Sequence, residues 1–144
     1  MLPIVGFFTD FAKDAGNDLW HQGTAPTPPP TLYLGLSTGD PLRSGAPAEL
    51  DPAPAPGYAR VAAGAASWST SGGALVTNAA AITFPGNTAG APWPTAYSLL
   101  AADAPTGGNV LWAARLTPDP SGLGQSCAPG KAIAFAPGAI AIQA

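Results

Sequence analysis

Residues 95–116 read TAYSLLAADAPTGGNVLWAARL, and this stretch decides the fold. Two apolar runs, 96–102 and 110–116, flank a polar segment holding Asp103, Gly107, Gly108 and Asn109. The two glycines supply the left-handed backbone that tight hairpin connections need. In the return run Val110, Trp112 and Ala114 alternate against Leu111, Ala113 and Arg115. That is the period of two that side chains follow on a strand. The stretch reads as a β-hairpin.

The same period recurs on either side. In TLYLGLS, 31–37, Leu32, Leu34 and Leu36 share one face, with Tyr33 and Gly35 on the other. YARVAA, 58–63, alternates in the same way, whereas SWSTSGG reads as a turn or irregular edge. ALVTNAAAITFP supplies one or two short strands, broken near Thr77-Asn78 and stopped by Pro85. In KAIAFAPGAIAIQA the pairs Ile133/Phe135 and Ile140/Ile142 flank a Pro137-Gly138 turn. Short strands separated by turn signals every 8–12 residues or so predict an antiparallel β-sandwich, jelly-roll-like. We place it at 31–143, with long Pro/Gly-rich loops at 38–57 and 117–130, in a single domain over 1–144.

The N-terminus has the other period. Phe7, Phe11, Ala15 and Leu19 are four apart, with Phe8 and Ala12 beside them, and Gly23 suits a helix stop. The spacing predicts one N-terminal α-helix over 3–22. Its apolar stripe has two possible destinations, this domain's own sheet or a partner. The proline-stiffened lead-in at 26–30 favours the first. The candidate partner contacts are Phe7, Phe8, Phe11, Leu19 and Trp20 of the helix, with Leu42, Arg43 and Leu50 of the 38–57 loop.

Composition narrows the function. Charged residues make up 9% of the chain and hydrophobic ones 47%, with a net charge of −3. A surface with so little charge is poorly protected against association, which fits a protein covered by partner chains. The five Lys and Arg are scattered, so no phosphate-binding patch forms and direct nucleic-acid contact is disfavoured. No run reaches the ~20 apolar residues that span a bilayer, so no membrane partner is expected. The first residues lack the basic start of a signal peptide. Cys127 stands alone and can form no internal disulfide; a small buried or loop thiol is expected.

Chemistry has little to work with. His21 is the only histidine, and its place at a helix end suits a structural role. One His and one Cys cannot make a zinc site. Asp40, Glu49 and Asp51 share a loop but fit no EF-hand spacing, and Asp103 reads as a turn residue. STGDP lacks the Gly-Lys-Ser/Thr of a phosphate loop. Trp68, Trp93 and Trp112 could line a sugar-binding face, but core filling is the commoner use. No cofactor, metal or catalytic residue is expected.

The order of motifs carries more than any one of them. LYLGLSTGDP, GYARVA, TNAAAITFP, AYSLLAADAPTGGNVLWAARL and FAPGAIAI follow in sequence after a helix ending in Gly23-Thr24-Ala25. In this order the chain resembles a family of small β-sandwich structural proteins of tailed bacteriophages. The resemblance covers about 7–142; the loops at 41–57 and 117–130 depart from it. It implies a non-enzymatic virion component, made in the host bacterial cytoplasm. The role expected is a capsid decoration (cement) protein on the head exterior. Its partners would be the major capsid protein and itself, as a dimer or trimer. A tail-fibre or receptor-binding module is the alternative.

Overall fold

The 95–116 stretch folds as its alternation requires, and its two strands lie inside a larger sheet. The computed structural model describes residues 4–25, 27, 29–39, 48–71, 75–116 and 124–143. Among these the elements are β1 (Ile4–Phe8), α1 (Asp10–Gln22), β2 (Thr31–Ser37), β3 (Val61–Gly64), β4 (Trp68–Ser71) and β5 (Leu75–Asn78). They continue with β6 (Ile82–Thr83), β7 (Ser98–Ala102), β8 (Val110–Arg115), β9 (Ala134–Phe135) and β10 (Ile140–Gln143). The protein is mainly β with one N-terminal helix.

Eight strands form one sheet in the order β3-β2-β7-β8-β1-β10-β5-β4, and β6 pairs with β9 separately. The two edge strands, β3 and β4, are joined by a single 3-10 turn at Ala65–Ser67. A connection that short forces the sheet to curl until its edges nearly meet. Trp68 bridges the seam: its indole Nε1 donates to the Ala63 carbonyl at 3.4 Å, and its ring lies edge-on to Trp112. The result is a sheet nearly closed into a barrel, which leaves little edge exposed.

Two expectations are corrected. The helix does not begin at residue 3; Ile4–Phe8 is a strand and α1 starts at Asp10. The segment IVGFF carries β-branched and aromatic residues suited to a sheet, and it fills the gap between β8 and β10. It also runs parallel to β10, with Ile4 opposite Ile140 and Gly6 opposite Ile142. The sheet is therefore mixed rather than antiparallel. Chain entry through the middle of a sheet leaves no local sequence signal. The C-terminus of α1 does fall where expected, with Gly23 left-handed at φ 69°.

The core follows from register. Leu34, Ala101 and Trp112 stand in one row across β2, β7 and β8, and Leu36, Leu99 and Ala114 in the next. All six are buried, as are Ile140 and Ile142 of β10. The small β6–β9 sheet adds Ile82, Phe84 and Phe135. Tyr58 stacks on Phe84 and meets Trp93 edge-on, with centroids 6.3 Å and 5.9 Å away. Trp93 and Trp112 are thus core residues, and half-buried Trp68 packs against Trp112 at the edge of the core.

Candidate functional site

Helix α1 rides on the barrel wall. Thr9, fully buried at its start, donates its hydroxyl to the Val110 and Leu111 carbonyls of β8, and its amide also donates to Leu111. Those carbonyls belong to a bulge, since Trp112 pairs with Ala101 and Val110 with Ala102, leaving Leu111 between them. The bulge disrupts the ladder and frees acceptors, and Thr9 takes them. The half-buried residues of α1 are small, Ala12, Ala15 and Gly16, and none of its residues is buried.

The large apolar side chains of α1 stay largely uncovered. Phe11 is 46% exposed, Leu19 40% and Trp20 83%. A cleft of about 540 Å³ separates the helix from Pro29 and Pro30, with Phe11, Ala12, Thr27 and Leu111 on its walls. Of the other expected contacts, Phe7 and Phe8 lie in β1, and Phe8 is half-buried with Trp112 around an apolar pocket of about 290 Å³. Leu50 is buried. Leu42 and Arg43 lie outside the described residues. The structure thus gathers Phe11, Leu19 and Trp20 on one helix and separates them from the rest.

A second feature went unread in the sequence. Arg60 Nε and Nη2 donate to Glu49 Oε1 and Oε2 at 2.8 Å and 2.6 Å, a two-pronged ion pair. Its Nη1 donates to the carbonyls of Ala104 and Gly107 at 2.6 Å and 2.8 Å. Tyr58 Oη donates to Glu49 Oε1 at 2.8 Å and accepts the Leu36 amide at 2.9 Å. Gly35 makes room for the cluster, because a Cβ there would lie 2.8 Å from Glu49 Oε1 and 3.0 Å from the Tyr58 hydroxyl. The motifs LYLGLS, GYAR and DAPTGGN, far apart in sequence, converge here. Only the spacing of Tyr58 and Arg60 hinted at it; the acid they share sits in a loop with no periodicity.

The electrostatics are those of a fastening. The hydrogen bond to Glu49 holds the Arg60 guanidinium protonated beyond its ordinary range, against a smaller opposing effect of burial. Burial pushes the Tyr58 phenol well above its usual value. Asp103 is held below the usual carboxylate range by hydrogen bonds from the Asn109 side chain and amide, the turn role expected of it. Four of the five guanidinium N–H groups are committed within the chain, leaving the group little capacity to act on a substrate.

Two other buried polar side chains tie loops to strands. Asn78 donates to Ala80 and Ala136 carbonyls and accepts the Ile140 amide, and Asn87 ties Ala89, Ala91 and Cys127 together. Cys127 is buried, with its Sγ 3.1 Å from the Lys131 carbonyl. His21 is exposed in the last turn of α1. Among the described residues no group of three or more His, Cys, Asp or Glu could hold a metal ion. No helix among them is long and apolar enough to cross a membrane.

Comparison with known proteins adds one finding. The family model described as Podophage GP4 fiber I protein gp80 matches residues 8–143. Among curated proteins, none matches the chain.

Proposed function

We infer a function from one premise: the chain belongs to the podophage GP4 fiber I protein gp80 family, a family of tailed-phage structural proteins. The protein acts without catalysis, as a structural subunit of a phage fibre. It docks through the exposed apolar side chains of α1 on another virion protein. The observation that carries this reading is the helix itself, anchored to the barrel by Thr9 while Phe11, Leu19 and Trp20 remain exposed. Exposed apolar side chains grouped on one element are the surface that association covers, and an exposed tryptophan suits the centre of an interface.

The barrel supplies rigidity. Its few charges weaken repulsion between closely packed neighbours. Locating a tagged copy in purified virions by electron microscopy tests the assignment. Density along the fibres or at their base supports it. Regular density on the head lattice overturns it in favour of the cement role, in which the protein binds major capsid protein on the shell exterior.

A further inference from the structure

The apolar pocket of about 290 Å³ opens at one end of the barrel, lined by Phe8, Leu32, Trp68, Val76, Trp112 and Ile142. Register puts all six on the inner face. Phe8 stands opposite Trp112, in the row that holds Ala101 and Leu34, and Leu32 lies two residues before Leu34. Ile142 is level with Gly6, two residues before Phe8, and opposite Val76. Trp68 is opposite Asn78, two residues after Val76. Side chains opposite or two apart share a face of a sheet. Trp112 and Ile142 are buried and the other four half-buried, so the pocket is concave and open. Its walls carry no charged group, hydroxyl or side-chain amide, and the Trp68 indole N–H is taken by the Ala63 carbonyl.

Such walls select what can enter. A soluble small molecule brings polar atoms that would be left unpaired here, which is costly. An apolar side chain presented by a protein brings few or none. Three of the six walls are aromatic, with Trp68 edge-on to Trp112 at 5.8 Å, and aromatic rings pack well on one another. The chain itself displays a fitting side chain. Trp20 is 83% exposed, more than any other large apolar residue described, so it does not fill its own chain's pocket. It sits roughly 16 Å along α1 from Thr9, at 1.5 Å of rise per residue. We propose that Trp20 of one copy inserts into the Phe8/Trp68/Trp112 pocket of a second copy. This rests on the reading of α1 as the docking element and names its partner as the same protein. Knob and pocket are different patches, so the contact is head-to-tail and can run on into a filament. The indole N–H can stay at the open mouth.

Sedimentation of the purified full chain over a range of concentrations tests this, with Trp20→Ser as the knob variant and Val76→Glu as the pocket variant. Wild type grows beyond a monomer as concentration rises. Each variant alone needs roughly tenfold or more protein to associate, the loss expected at an interface anchor. Mixed, the two form a one-to-one dimer that grows no further, because only one knob and one pocket remain intact. Should Val76→Glu not fold, the Val76 and Ile142 methyl resonances replace it: they shift with concentration in wild type and stay fixed in Trp20→Ser. A wild type that stays monomeric, a variant that associates like wild type, a mixture that stays monomeric, or methyl signals that ignore Trp20 overturns the proposal. If self-association is absent while entry into virions still depends on Trp20, the helix docks on a different virion protein. If entry ignores Trp20 as well, the docking reading falls with the proposal.

Discussion

The β7–β8 hairpin and helix α1 lie against each other, and the fold treats their large apolar side chains in opposite ways. In the hairpin, Leu99, Leu100, Val110 and Trp112 are all buried by the protein's own strands. In α1, Phe11, Leu19 and Trp20 remain exposed, and the half-buried residues are small. Burial that the fold completes explains stability. Apolar surface that the fold leaves outside points to a partner, and three of the five exposed large apolar side chains among the described residues, Phe11, Leu19 and Trp20, stand on this one helix.

Substitutions separate the two regions. Trp112→Ala in the hairpin removes a buried indole and its contact with Trp68, and is expected to cost about 3–5 kcal/mol, read from the urea midpoint. A loss under about 1 kcal/mol would mean that the barrel is not packed as described. Asn78→Ala leaves the Ile140 amide without its partner and is expected to cost about 1–3 kcal/mol; the same titration measures it. In the Glu49–Arg60 cluster, pH probes Tyr58. Its folded value is raised, so its contribution to stability is fully present below the unfolded value near ~10 and is lost as pH climbs toward the folded one. The denaturation midpoint should fall in strong alkali, and Tyr58→Phe should flatten that fall. The smallest effect belongs to α1: Trp20→Ser should change stability by no more than about 0.5 kcal/mol, as for an exposed side chain.

The contrast also marks what the sequence could disclose. The hairpin was legible because period-two alternation and a Gly-Gly turn are local, and β2 was legible for the same reason. The helix end at Gly23 was a local signal too. The strand at Ile4–Phe8 was not, because Phe7 and Phe8 extend the helical spacing of Phe11, Ala15 and Leu19 in phase. Only pairing with β10, more than a hundred residues away, makes a strand of them. Asp103 disclosed its turn role because its partner Asn109 is close in sequence. Glu49 disclosed nothing, because Arg60 and Tyr58 become its partners only once β2 and the β7–β8 turn are in place. Of the expected contacts, Phe11, Leu19 and Trp20 stand exposed, whereas Leu50 is buried in the core.

The most direct test of the account is the incorporation of a Phe11→Ser/Trp20→Ser protein into purified virions. Its fold is first checked by circular dichroism, and its copy number is then compared with wild type. The account predicts a folded protein whose incorporation falls by about tenfold or more, the loss expected when an interface loses its aromatic anchors. Wild-type incorporation of the folded double variant would contradict it, and would move the docking surface off the helix.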